Sequence, residues 1–206
     1  MFISKVYVNV SDELVKGKLH NSNNWHKLVM SGFNEYFSND VTSLREKYGI
    51  LFRVEEQKFG VTVYVQSSVQ PNWYGKSWVL SANVSDLSCI LESLSDDAVV
   101  NFNLLCTPYY ADKGTGKISC FISTEDKINW LKVKGQYNGF ELTSCEIVPC
   151  DKMLCNIGGN PNVNLRMTNL VGTMSITDAT KFRSFVLTGV GRQKAYGAGM
   201  LILLGY

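Results

Sequence analysis

Twice along this chain, strand-like alternation gives way to helical spacing and then returns to strands. That repeated order constrains the fold more than any other feature. In the first round Phe2, Val6, Val8 and Val10 alternate with more polar residues, as on a half-buried strand. Ser22, Asn23 and Asn24 are cap-forming residues ahead of a helix that starts near Trp25 and carries Val29, Phe33, Tyr36 and Phe37 at helical spacing. Ile50 to Val54 and Val61 to Val65 follow as β-like runs with Gly60 between them. Pro71-Asn72 marks a turn, Ser77 to Leu80 reads as a short strand, and Leu87 to Leu94 is a weaker helical or irregular stretch.

The second round is clearer. Val99 to Leu105 is strand-like and Pro108 closes it. Thr124-Glu125-Asp126 opens a helix bearing Ile128, Leu131 and Val133, with acids where the helix dipole favours them. Phe140 to Val148 reads as a strand, Gly158-Gly159-Asn160-Pro161 as a hairpin turn, and Leu165 to Ile176 as the returning strand. Asp178 caps a helix with Phe182, Phe185 and Val186, and Met200 to Leu204 is a last apolar strand. Each round matches the split βαβ unit. The expected fold is therefore α+β: two tandem ferredoxin-like (RRM-like, βαββαβ) domains, residues 1–94 and 95–206. No linker rich in Pro, Gly or Ser divides them, so the two are expected to be packed together.

Composition excludes several classes. Of 206 residues, 45% are hydrophobic and 18% charged, enough apolar material for a packed core and too little charge for bulk disorder. No apolar run approaches the ~18 residues that span a bilayer. The first residues, Met1 to Tyr7, have no basic segment followed by an apolar core, so no secretory signal is read and a cytoplasmic location, without membrane association, is expected. The cysteines Cys89, Cys106, Cys120, Cys145, Cys150 and Cys155 suit reduced, packed thiols, and no histidine stands near the last three to complete a zinc site. Asp96-Asp97 and Glu55-Glu56 read as solvated turns rather than metal ligands, which leaves a metal-dependent nuclease or nucleotide-binding enzyme as the weakest reading. The net charge is +2, but residues 151–206 hold six cations (Lys152, Arg166, Lys181, Arg183, Arg192, Lys194) against Asp151 and Asp178. A basic C-terminal segment suits a polyanion, and equally an ordinary solvated surface.

The most informative segment runs from Gly189 to Leu201, Gly-Val-Gly-Arg-Gln-Lys-Ala-Tyr-Gly-Ala-Gly-Met-Leu. It is not a dinucleotide-binding fingerprint, because Lys194 stands where a glycine is needed and the helix precedes the strand. It is not a Walker loop, because no Gly-Lys-Ser/Thr step is present. Two readings remain open on the residues alone. Glycines allow close backbone approach and successive N–H groups can cradle an anion, with Arg192 and Lys194 adding charge. The same glycines also serve a tight helix-to-strand connection.

This segment, with Lys194-Ala-Tyr-Gly-Ala-Gly-Met-Leu201, resembles the C-terminal glycine-rich motif of the CRISPR repeat-processing endoribonucleases, most closely the CasE/Cse type of the type I-E Cascade complex. Upstream, Val65-Gln66 with Pro71-Asn72-Trp73, Val100 to Leu104 with Thr115-Gly116-Lys117, Asp126 to Leu131, and Gly139-Phe140 resemble the same family in the same order. The resemblance covers most of the chain and implies the tandem ferredoxin-like fold. It implies a metal-independent endoribonuclease, with no cofactor, that cleaves the stem-loop of a CRISPR repeat transcript by 2′-OH attack, giving a 2′,3′-cyclic phosphate. The implied partners are the repeat RNA and the other Cascade subunits.

The family places a catalytic histidine between its first strand and first helix. Of the two histidines, His26 fits that slot at the start of a helix, while His20 lies in a polar loop. An imidazole titrates near neutrality and can serve as general base or acid. By the same resemblance Gly189, Gly191, Arg192, Lys194, Gly197 and Gly199 hold RNA backbone, and Lys152 and Arg166 flank an RNA-contacting hairpin at residues 152–166. The chain departs from some relatives at Asn23, where they carry tyrosine, and its hairpin tip, Asn156 to Asn162, is uncharged. Those departures motivate the rival expectation, a non-catalytic subunit that only binds the guide RNA.

Overall fold

The computed structural model describes residues 1–36, 44–151, 153–157 and 160–205. Its elements in chain order are β1 (Phe2–Val8), α1 (Ser22–Met30), α2 (Leu44–Lys47), β2 (Leu51–Gln57), β3 (Gly60–Ser67), β4 (Val79–Asp86) and α3 (Ser88–Ser93). There follow β5 (Val99–Cys106), β6 (Tyr109–Ala111), β7 (Ile118–Cys120), α4 (Thr124–Asn138), β8 (Phe140–Val148), β9 (Met153–Ile157), β10 (Asn160–Leu165), β11 (Thr168–Ile176), α5 (Ala179–Thr188) and β12 (Leu201–Leu204). They form two compact units that are not contiguous in sequence: Met1–Cys89 with Met153–Leu165 and Lys194–Gly197, and Ile90–Lys152 with Arg166–Gln193 and Ala198–Tyr206. The hairpin and the middle of the glycine segment therefore pack with the first unit.

The first unit is built on an antiparallel sheet in the order β2-β3-β1-β4. The second has β12-β5-β11-β8, also antiparallel. Both orders are fourth-first-third-second among the sheet's own strands, the ferredoxin-like topology expected from the sequence. The short pairs β9–β10 and β6–β7 are separate hairpins.

In the first unit Val6, Val63, Val65 and Phe52 lie in the core with Trp25, Val29 and Phe33 of the helical segment. The side chain of Asn21, rather than of the three residues after it, caps α1 by accepting from the Asn24 N–H at 3.1 Å. The helix ends at Met30 and continues as a 3₁₀ turn, Ser31–Tyr36, with a kink at Phe33; Phe37 lies outside the described residues.

The sequence left the second helix of this half weak, and the structure shows why. Between β3 and β4, where the motif has its second helix, the chain is irregular and fills the space with indoles. Trp73 and Trp78 are buried edge-to-face at 5.8 Å, Phe33 meets Trp73 at 6.0 Å, and Trp73 donates its N–H to the buried Ser4 hydroxyl at 3.0 Å. The helix at Leu87 to Leu94 is real but follows β4 as α3.

The second unit follows its sequence more closely. Ser123 caps α4 by accepting from the Asp126 N–H at 3.0 Å, and Gly139 ends the helix with a left-handed φ of 74°. Asp178 caps α5 by accepting from the Lys181 N–H at 3.0 Å. Phe140, Phe182 and Phe185 form the aromatic centre, with Phe140 4.9 Å from Phe185 and 5.9 Å from Phe182. The expected strand from Leu165 to Ile176 is two strands. β10 ends at Leu165, Arg166 and Met167 intervene, and β11 begins at Thr168 as a central strand of the sheet.

Candidate functional site

His26 sits in the second turn of α1, half-buried, with Trp25 and Val29 on either side anchored in the core. Trp25 fixes the entry to the helix by donating its indole N–H to the Leu19 carbonyl at 2.6 Å. The imidazole is hydrogen-bonded to the backbone of Ala195, in the short 3₁₀ turn Lys194–Tyr196 of the glycine segment. Burial lowers the pKa of His26 below its ordinary value, and the positive charge of Arg45 on α2 lowers it further; the Ala195 backbone bond opposes both. The balance favours the neutral imidazole near pH 7, the form that accepts a proton. The Arg45 side chain is largely shielded from solvent and pairs with Glu46 Oε1 at 3.0 Å.

Three pieces distant in sequence thus meet at one histidine: α1, α2 and the 194–197 turn. The turn rests against β2, where Gly197 has a φ of 91° and a Cβ on it would lie 3.1 Å from the Phe52 ring. The hairpin β9–β10 docks beside the segment leading into α1. Leu154 donates its N–H to the His20 carbonyl at 2.8 Å and pairs with Asn21 in an isolated parallel bridge. Met153, Cys155 and Leu165 are buried beneath it. The His20 imidazole is exposed, with Nδ1 3.4 Å from Glu56 Oε1, and His20 contributes its carbonyl to the hairpin dock.

The rest of the glycine segment belongs to the second unit. Gly189 ends α5 and donates to the Phe185 carbonyl at 3.1 Å; Val190 donates to the Gly199 carbonyl at 2.8 Å, and Gly199 to the Leu105 carbonyl at 2.7 Å. Gly191 and Gly199 have positive φ values of 76° and 87°. The N–H groups of Gly189 and Gly199 are thus spent on carbonyls of α5 and β5. Gln193, also at positive φ (64°), is held by the Thr107 hydroxyl, which donates to Gln193 Oε1 at 2.6 Å. The Arg192 guanidinium lies over the Tyr109 ring, 5.5 Å from its centroid.

Of the residues expected at the site, His26, Lys194 and Gly197 share the first unit, and Gly189, Gly191, Arg192, Gly199 and the exposed Arg166 share the second. Lys152 lies outside the described residues. Arg45 and the Ala195 backbone carried no sequence signal, since their relation to His26 spans 19 and 169 positions and no local pattern encodes it. Among the described residues no group of three or more His, Cys, Asp or Glu side chains is placed to hold a metal ion, and no helix is long and apolar enough to cross a membrane.

No curated protein sequence matches the chain significantly. Solved structures do match its fold. A CRISPR endoribonuclease Cse3 bound to a 19-nucleotide RNA superposes with a TM-score of 0.83 at 19% identity, covering 98% of this chain and 99% of that one. Cas6e from Escherichia coli K-12 gives 0.70 at 20% identity, with 98% of each chain covered. A chain of a CRISPR RNA-guided surveillance complex in a pre-nicking state gives 0.65 at 19% identity, covering 98% and 99%. Residues 1–204 match the family model described as CRISPR associated protein, and the chain belongs to that family.

Proposed function

We propose that this protein is a CasE/Cse-type endoribonuclease that cuts the stem-loop of CRISPR repeat RNA without a metal ion and remains on the guide RNA as a Cascade subunit. The observation that carries the reading is the setting of His26: an imidazole held in its neutral form, fixed at a helix and bonded to the turn of the glycine segment that carries Lys194.

In the proposed reaction neutral His26 takes the proton of a ribose 2′-hydroxyl. The freed oxygen attacks the adjacent phosphorus, the bond to the 5′-oxygen breaks, and that oxygen leaves with a proton from solvent or from the imidazolium. The products are a 2′,3′-cyclic phosphate and a 5′-hydroxyl. Arg45 and Lys194 supply positive charge where the phosphorane develops its negative charge, and a half-buried setting strengthens that interaction. Positioning of the 2′-oxygen in line with the leaving group supplies much of the rate, and proton transfer a further ~10²–10⁴-fold. Lys152 and Arg166, which flank residues 153–165 in the sequence, and Arg192 add phosphate contacts, while Gly189, Gly191, Gly197 and Gly199 give the loop the shape that lets RNA approach. The similar chains bound to RNA and within a surveillance complex support the assignment of substrate and partners.

The test is incubation of the full chain with a repeat stem-loop RNA in EDTA. The reading expects one cut by the wild type and loss of at least two orders of magnitude in rate for His26→Ala with RNA binding retained. Binding without any cut by the wild type overturns it in favour of a guide-RNA-binding subunit. A cut restored only by Mg²⁺ overturns the metal-independent mechanism.

A further inference from the structure

The sheet of the first unit has a second face that the cleavage chemistry does not use. On the face holding Ser4, Val6 and Val8 the side chains are buried. The opposite face buries Leu51 and Arg53 of β2 and Thr62 and Gln66 of β3, and towards its β1–β4 side carries Lys5 and Tyr7 from β1, Tyr64 from β3, and Ser81 and Asn83 from β4. Register sets their arrangement: Lys5 stands opposite both Tyr64 and Asn83, and Tyr7 opposite Ser81. Cross-strand partners point to the same side of a sheet, so the five form one patch.

The Lys5 ammonium lies 5.2 Å from the centroid of the Tyr7 ring and 5.9 Å from that of Tyr64. Its hydrogen bond to Tyr7 and its closeness to Tyr64 raise its pKa above the ordinary lysine value, so the charge is firmly held. Tyr7 is 37% exposed, and Ser81 and Asn83 are exposed beside it. The acid nearest along β2 on this side, Glu55, is paired with Arg53 at 3.0 Å. The residues directly across from Lys5 are a phenol and an amide, not a carboxylate. Around Lys5 this face sets two aromatic rings and neutral hydrogen-bonding groups, with the Arg53–Glu55 ion pair beyond Tyr64 on β2.

We propose that this face binds a single-stranded segment of RNA, separate from the stem-loop at His26. Two rings on adjacent strands offer stacking surfaces to successive bases, the ammonium between them meets the connecting phosphate, and the Asn83 amide can both donate to and accept from a base edge. Charge complementarity selects the occupant: a cation amid phenols, with no opposing acid, fits an anionic chain of flat rings. The inference rests on the proposed function for the choice of RNA as the ligand.

The experiment uses the full chain and a fluorescein-labelled octauridylate, which cannot form a stem, read by fluorescence anisotropy. The wild type is expected to bind it. Tyr7→Phe/Tyr64→Phe keeps the rings and should stay within about threefold, whereas Tyr7→Ala/Tyr64→Ala should weaken binding at least tenfold. Lys5→Gln should lower the salt dependence by the equivalent of one phosphate, a slope change of about 0.7 in log K against log salt. No binding by the wild type, or equal binding by the alanine pair, overturns the proposal. If the alanine pair does not fold, Lys5→Gln decides: an unchanged affinity and slope overturns it. A protein that cuts stem-loop RNA but ignores octauridylate refutes this inference alone. One that binds octauridylate through Tyr7 and Tyr64 but never cuts refutes the cleavage reading alone.

Discussion

Gly32→Ala should destabilise the first unit, against the usual sign for glycine-to-alanine changes. Gly32 follows α1 by two residues, and its φ lies outside the left-handed region, so alanine's own backbone is unstrained there. On that ground alone the change gains about 0.4–1 kcal/mol by restricting the unfolded chain. The added Cβ, however, would overlap Cζ3 of Trp73 and lie 2.6 Å from Cη2 and 2.8 Å from Cε3. Carbon atoms at rest stand about 3.5–4.0 Å apart. The indole cannot swing clear without loss, because its N–H bonds the buried Ser4 hydroxyl at 3.0 Å and it packs T-shaped with both Phe33 and Trp78. Overpacking of this kind costs about 1–3 kcal/mol, and breaking the buried hydrogen bond about 1–3 more. After the backbone gain, a net loss of about 2–4 kcal/mol is expected. At about 2–4 °C per kcal/mol for a chain of this size, the midpoint falls by roughly 5–15 °C in a thermal melt followed by circular dichroism. A double-mutant cycle with Trp73→Leu should show coupling above about 1 kcal/mol, since the smaller side chain makes room for the methyl group. A Gly32→Ala protein that melts at or above the wild-type temperature refutes the packing account.

Gly197→Ala forces alanine to a φ of 91° against the Phe52 ring, so a cost of about 1–3 kcal/mol in a melt and a slower cut in the cleavage assay are expected. Arg45→Gln removes a charge that holds the His26 pKa down, so the imidazole should titrate at higher pH by NMR, and the acid limb of the cleavage profile should move up with it. Because the folded His26 resists protonation, the unfolded chain binds more protons between its folded pKa and about 6.5, so stability rises with pH across that window and is complete above it; His26→Gln should flatten that rise in denaturant titrations. Asp178→Ala removes the cap of α5 and should cost about 1 kcal/mol in the same titrations, with little added by the exposed ion pair to Lys181.

What the sequence made legible was local. α4 announces itself by Thr124-Glu125-Asp126 followed by Ile128, Leu131 and Val133, α5 by Asp178 followed by Phe182, Phe185 and Val186, and β8 by its strand-like run from Phe140 to Val148. Each signal acts within a few residues, so pattern reading finds it. The region between β3 and β4 was not legible in that way. Its order comes from Trp73 and Trp78 reaching Phe33 and Ser4, contacts that no periodicity encodes. The short hairpin β6–β7 and the single turn α2 escaped for a related reason: elements of three or four residues carry too few positions to show a period. At the site, the helix start placed His26, but its partners came from elsewhere in the chain. Ala195 reaches it through the fold of the glycine segment, and the hairpin reaches the same region through the Leu154 bond to His20.

The central claim is that a ribose hydroxyl is the nucleophile and His26 its base. It is tested most directly by a stem-loop RNA in which the single ribose 5′ to the mapped cut is replaced by 2′-deoxyribose, with cleavage in EDTA and binding measured together. The account predicts that this RNA binds like the all-ribose strand and is not cut, while the all-ribose strand yields a 2′,3′-cyclic phosphate at a rate that falls as pH drops through the depressed pKa of His26. Cutting of the deoxy-substituted strand at the same bond would contradict it.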